Sequence, residues 1–205
     1  MAGLINRVFF FEHVRAMLFG NALRPKQVAG LAALLDYWEA KHAAKDDRML
    51  AYLMATAFHE TDMTMQPIRE YGSTAYFDGR YGPPPAGKNP KLAKDLGNTQ
   101  QGDGSRFCGR GYVQLTGRRN YADWGNRLGL PLLENPDLAL QAGPAMQILV
   151  EGSLLGSFTG RKLSDYFGQD RAEWRDARRV INGLDKASLI AGHARNFYAA
   201  ISYTT

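Results

Sequence analysis

Asp47-Arg48-Met49-Leu50-Ala51-Tyr52-Leu53-Met54-Ala55-Thr56-Ala57-Phe58-His59-Glu60-Thr61 places Leu50, Leu53, Met54 and Ala57 at steps of three and four. That spacing matches the 3.6-residue turn of an α-helix and predicts an amphipathic helix ending near Glu60. Asp46 or Asp47 can cap its start, because a short carboxylate accepts the amides that a first turn leaves unpaired. Two helices of the same kind precede it, one carrying Val8, Phe11, Val14 and Leu18, the other Val28, Leu31, Leu34, Leu35 and Trp38. Pro25 opens the second, at a position where no amide is needed.

Beyond Thr61 the pattern breaks. Residues 72–111 hold Gly82-Pro83-Pro84-Pro85, Asn89-Pro90, Gly97-Asn98 and Gly102-Asp103-Gly104, and predict a long loop. Its aromatic residues, with Tyr71 at the entrance, predict a packed, substrate-facing segment. Helical signals resume at 118–128 with Thr116 as a candidate cap, at 145–155 after Pro144, and at 171–181 and 186–203 behind Asp170 and Asp185. These signals predict a mainly α architecture, two helical lobes about a central substrate cleft, with few or no short strands. A chain of 205 residues with 45% hydrophobic content suffices for one buried core, so a single domain over 1–205 is expected.

The formal net charge of +5 favours an anionic partner. Basic residues alternate with acids, as in Lys45-Asp46-Asp47-Arg48, unlike the clustered stripe of a nucleic-acid binder. Cys108 is the only cysteine, which excludes an internal disulfide and a zinc site built on cysteine pairs. The apolar start, 4–19, is interrupted by Arg7, Glu12, His13 and Arg15, so it reads as neither a Sec signal nor a spanning helix, and no stable membrane insertion is expected.

Chemistry concentrates in three places. Glu60 falls on the helix face of Leu53 and Ala57, so its carboxyl is expected to be drawn partly out of water, the environment that suits a general acid. A helix-terminal glutamate bonded to an arginine or to backbone would have the same signature. His59-Glu60 begins a zinc-protease pattern, but Met63 stands where the second histidine belongs, so no metal or other cofactor is expected. His59 is read as orienting or packing beside Glu60. Ten residues on, Glu70 supplies a second carboxylate, and two carboxylates are the minimum equipment of a glycosidase. A surface glutamate paired with Arg69 or Arg80 is the plainer alternative. The third place is Gly109-Arg110-Gly111-Tyr112-Val113-Gln114-Leu115-Thr116 with Asn120-Tyr121, where glycines allow close approach and Gln114, Thr116 and Asn120 offer neutral hydrogen-bonding groups. Gln114 and Thr116 share a side if the segment is extended.

With these pieces in order, the sequence resembles family-19 glycoside hydrolases, in particular their lysozyme-like branch of bacteriophage endolysins. The matching motifs are His59-Glu60-Thr61, Pro67-Ile68-Arg69-Glu70-Tyr71-Gly72, Asp95-Leu96-Gly97-Asn98-Thr99, Gly102-Asp103-Gly104, the segment from Gly109 to Thr116, Asn135-Pro136-Asp137-Leu138-Ala139, and Arg178-Arg179-Val180-Ile181-Asn182-Gly183. The resemblance implies a lysozyme-like α-helical fold and an inverting mechanism. Glu60 matches the catalytic acid, Glu70 the base, and Thr116 the hydroxyl that helps hold the attacking water. Gln114, Asn120 and Asn182 match sugar contacts, and His59, Tyr71, Arg110 and Tyr112 complete the candidate substrate-binding set.

The substrate so implied is the peptidoglycan glycan strand, cut between N-acetylmuramic acid and N-acetylglucosamine. Plant chitinases of the family carry disulfides and a Gly-rich segment where this chain has Asp62-Met63-Thr64-Met65, so chitin is the second expectation. A lytic transglycosylase and, outside enzymes, a catalytically dead wall-binding module stand behind these two. A monomer made in the host cytoplasm, released by a separate membrane-permeabilising protein and acting on the wall, is the expected biology.

Overall fold

The computed structural model describes residues 5–202; the predicted helix end at Tyr203 and the apolar Leu4 lie outside them. The chain divides into two compact units, one formed by residues 1–66 with 149–205 and the other by 67–148.

In the first unit, α1 (Arg7–Leu18), α2 (Pro25–His42) and α3 (Asp47–Glu60) follow one another. Asp46 caps α3 by accepting from the Arg48 amide at 3.0 Å. Every residue of α3 from Met49 to Phe58 is buried, so this helix is enclosed on all sides rather than on one stripe. Phe58 meets the rings of Phe19 at 5.2 Å, His193 at 4.9 Å and Phe197 at 5.9 Å. Each large apolar side chain enclosed in this way contributes about 1.5–3 kcal/mol. The turn after α3 is fixed by buried Thr61, whose hydroxyl donates to the Ala57 carbonyl (2.7 Å) and accepts from the Met65 amide (3.1 Å). Asp62, Met63 and Met65 all adopt positive φ, a conformation costly for residues with a Cβ. A Cβ at Gly30 would stand 1.9 Å from the Met65 carbonyl oxygen, so only glycine lets α2 run against this turn.

The second unit opens with β1 (Ile68–Arg69), then α4 (Thr74–Tyr81), α5 (Pro90–Asp95), α6 (Asp103–Arg106), β2 (Arg110–Gly111) and α7 (Arg118–Leu128). β1 and β2 are antiparallel, with Arg69 opposite Arg110. The chain leaves through a 3-10 turn (Pro136–Leu140) and α8 (Ala142–Leu155), and in the first unit continues through β3 (Phe167–Gly168), β4 (Arg171–Ala172), a 3-10 turn (Asp176–Val180) and α9 (Ala187–Ile201). No helix among the described residues is long and apolar enough to cross a membrane.

The mainly helical architecture with a few two-residue strands is as predicted, and several local expectations are corrected. Residues 72–111 contain three short helices. Ser73 and Asn89 cap the first two through their side chains. Gly104 brings α6 within backbone contact of α4, where a Cβ would meet the Phe77 carbonyl oxygen at 2.5 Å. The predicted helix 171–181 is instead a hairpin strand and a 3-10 turn. Trp174 turns inward onto Phe167 (4.9 Å between rings), and Arg48 takes the Arg171 carbonyl at 3.1 Å, which tertiary packing favours over local propensity. Asp170 and Asp185 cap nothing; Lys186, at φ 55°, precedes α9. α8 starts at Ala142, with Pro144 inside its first turn. In α1 the buried line is Phe10 and Val14, while Val8 is 70% exposed.

Candidate active site

Glu60 ends α3 with its side chain 18% exposed, and its Oε1 pairs with Arg178 Nη2 at 2.8 Å. The expected withdrawal from water is present, together with the arginine that the plainer alternative required. Arg178 is 4% exposed at its side chain and is held from behind, its Nε donating to the Asp185 carbonyl at 3.2 Å. Its Nη1 is buried without a hydrogen-bond partner. One oxygen of Glu60 is thus fixed, and Oε2 has no protein partner among the described residues. Asn182 is exposed four residues beyond Arg178 and accepts from the Gly183 amide.

His59 does not bond Glu60. It lines a hollow of about 370 Å³ with Phe58, Met63 and His193. Burial, and then the nearby His59, hold His193 below the usual histidine pKa. No three His, Cys, Asp or Glu side chains among the described residues converge as metal ligands would.

In the second unit, Glu70 directly follows β1. Its Oε1 accepts from the Tyr81 hydroxyl at 2.8 Å and its Oε2 from the Gly109 amide at 3.1 Å. The backbone amide of Glu70 donates to the Gly109 carbonyl at 2.8 Å. Burial, then the hydrogen bond to Glu70, push the Tyr81 pKa upward, so the phenol stays a donor. Neither Arg69 nor Arg80 forms an ion pair with Glu70. The carboxylate faces an open groove of about 770 Å³ walled by Tyr71, which is 82% exposed.

Gly109 serves the carboxylate rather than a ligand, since a Cβ there would lie 3.1 Å from Glu70 Oε2 and 2.7 Å from Gln114 Oε1. Gln114 is not extended. Its φ is 54°, and its Nε2 donates to the carbonyls of Ile68 (3.2 Å) and Gly111 (3.1 Å). Thr116 donates to the Gln114 carbonyl at 2.8 Å, and Asn120 donates to the Thr116 carbonyl at 2.7 Å. Thr116 does not cap α7. Gly117 occupies the cap position at φ 93°, and Asn98 Oδ1 accepts the Arg118 amide at 2.8 Å. Glu70, Gly109, Gln114 and Thr116 therefore form one connected cluster.

Arg110 and Tyr112 are largely buried, 4% and 1% exposed. Arg110 pairs with Asp137 at 2.8 Å and donates to the Cys108 carbonyl at 3.0 Å. Burial pushes the Tyr112 pKa up to about 12. Arg178 opens a motif that the sequence singles out, but its pairing with Glu60 is not read there, nor are Tyr81 as the partner of Glu70 or the part played by Gly109; the only hint is that a half-buried Glu60 calls for some arginine.

By sequence the chain matches no family profile and no curated protein. By structure it is similar to chitinase C from Streptomyces griseus HUT6037, with a TM-score of 0.53 at 19% identity over 100% of this chain and 79% of that one. A mutant of the same chitinase C gives the same values. A bacterial family 19 chitinase aligns with a TM-score of 0.41 at 20% identity, covering 93% of this chain and 95% of that one. At such identity the likeness to chitinase C is one of fold, and the chain has that α-rich fold.

Proposed function

We propose that this chain is a family-19-type glycoside hydrolase that cleaves the β-1,4 bond between N-acetylmuramic acid and N-acetylglucosamine in peptidoglycan, acting as a bacteriophage endolysin. The observation that carries the reading is the mounting of the two carboxylates on a chitinase-like fold. Glu60 has one oxygen fixed by Arg178 and the other without a partner among the described residues, whereas both oxygens of Glu70 accept hydrogen bonds. A group that must hand over a proton needs one free oxygen, and a base needs a fixed direction.

In the proposed step Glu60 gives its proton to the leaving glycosidic oxygen as the C–O bond breaks. Water, aligned with help from the Thr116 hydroxyl, attacks the anomeric carbon from the opposite face and loses its proton to Glu70, inverting the centre. Tyr71 offers an exposed ring for a sugar face, and Asn120, Gln114 and Asn182 offer polar groups. The protein acts as a monomer without a cofactor, made in the host cytoplasm and reaching the wall after a separate protein permeabilises the membrane.

Purified peptidoglycan digested with the protein, reduced with borohydride and analysed by mass spectrometry, is expected to show new reducing N-acetylmuramic acid ends. Glu60→Gln should lower turnover by about 10²–10⁴-fold while retaining wall binding. A folded Glu60→Gln with normal turnover, or 1,6-anhydro products, would exclude this mechanism. Chitinase activity is the second reading, supported by the likeness of fold to chitinase C, and faster cleavage of chitin oligomers than of peptidoglycan would establish it.

A further inference from the structure

On the second unit, a polar cavity of about 550 Å³ gathers four arginines, Arg69, Arg106, Arg110 and Arg118, and three acids, Asp103, Glu134 and Asp137. Two arginines are already neutralised, Arg110 by Asp137 at 2.8 Å and Arg118 by Asp103 at 2.9 Å. The other two have no acidic partner among the described residues. Arg106 donates to the carbonyls of Leu133 (2.8 Å) and Glu134 (3.3 Å), and Arg69 donates only through Nε, to Cys108 Sγ at 3.4 Å, a weak acceptor. Glu134 forms no ion pair with either. Arg69 also stands directly opposite Arg110 in the β1–β2 pair, and because Asp137 already answers the charge of Arg110, Arg69 is the cation of that pair left without an acid. Gln100 and Gln101 add amide groups to the rim.

We infer that this cavity binds a carboxylate of the glycan strand. Paired guanidinium donors match a carboxylate's two oxygens, and Arg69 adjoins Glu70 in sequence and lines the same open groove as well as this cavity, which brings the cavity within reach of a substituent on the same polymer. Chitin carries no carboxylate, whereas peptidoglycan carries them on its stem peptides and on any muramic acid whose lactyl carboxyl is free of peptide, so the cavity selects the acidic polymer. The inference rests on the reading of Glu70 as part of a glycan-cleaving site.

The test is calorimetric binding to the intact protein, which is independent of turnover. Five probes are compared: the neutral N-acetylglucosamine disaccharide, the N-acetylglucosamine–muramic acid disaccharide, its tetrapeptide derivative, that derivative with every carboxylate amidated, and polyglycerol phosphate. Binding at least about tenfold tighter with free carboxylates than with amides, lost in Arg69→Gln and in Arg106→Gln, is expected. Preference for the peptide-free acid assigns the muramic carboxylate, and preference for the tetrapeptide assigns the stem. Equal binding of free and amidated probes overturns the inference, as does tighter binding of polyglycerol phosphate. Equal binding with peptidoglycan hydrolysis intact removes this site alone, whereas selective binding without any hydrolysis removes the hydrolase reading and leaves the carboxylate site standing.

Discussion

Gly109→Ala tests whether Glu70 acts as a positioned base. The new methyl would stand 2.7 Å from Gln114 Oε1 and 3.1 Å from Glu70 Oε2, where ordinary contact begins at 3.4 Å. The amide must therefore retreat by about 0.7 Å and the carboxylate by about 0.3 Å. The bond from the Gly109 amide to Glu70 is already 3.1 Å, so that retreat takes it past the roughly 3.2 Å limit of a normal N–H···O contact. A hydrogen bond to a charged acceptor contributes about 1.5–3 kcal/mol. Glu70 is half-buried and water recovers part of the loss, leaving about 1 kcal/mol, or about fivefold in rate. Because Tyr81 still holds the other oxygen, the carboxylate pivots, and misalignment extends the expected loss to about 5–30-fold. Turnover of peptidoglycan is measured beside circular dichroism and Tm, with stability expected to fall by about 1–2 kcal/mol. In a Glu70→Gln background the same substitution should cost less than about twofold. Full turnover in a folded Gly109→Ala, or an equal loss in both backgrounds, would refute the reasoning.

Arg178→Lys keeps the charge but cannot serve both Glu60 and the Asp185 carbonyl, so a loss of about 1–3 kcal/mol in denaturant unfolding is expected, with a larger fall in kcat than in KM. His193 has a folded pKa below its unfolded value of 6.5, so its contribution to stability is complete above about pH 6.5 and is lost as pH falls through the folded pKa; a His193→Gln variant should flatten that limb in Tm measurements between about pH 5 and 7. At Gly192, exposed within α9 with nothing within 4 Å of a built Cβ, substitution by alanine should raise stability by about 0.5–1 kcal/mol, read as a Tm gain of about 1–4 °C.

Much of the helical frame is legible because periodicity reports burial directly. The line Leu31, Leu34, Leu35 and Trp38 is buried as read, and 118–128 coincides with α7. Three consecutive phenylalanines, Phe9, Phe10 and Phe11, leave the phase of α1 ambiguous, and a spacing rule applied there puts Val8 inside. Glycine carries opposite meanings that only packing separates. Gly104 and Gly109 mark close approach within a folded element, whereas the sequence presents them as loop residues. The hairpin at Phe167–Ala172 depends on Arg48, more than a hundred residues away, and no local pattern encodes that. The carboxylates themselves are legible as candidates, but the donors that hold them are not: Arg178 stands in a matched motif read for Asn182 alone, and Tyr81 in a loop segment, and no local pattern joins either to its glutamate.

The enclosure of α3 also bears on synthesis. Its neighbour α9 begins at Ala187, about 127 residues after α3 ends at Glu60, so a ribosome adding about 5–20 residues per second leaves the helix whose residues from Met49 to Phe58 are all buried in the finished fold without that cover for about 6–25 s. During that interval the nascent protein presents the apolar side chains of this helix, Met49, Leu50, Leu53, Met54 and Phe58 among them, to its surroundings, making it a natural client for chaperones and placing its aggregation hazard in translation rather than in the finished molecule.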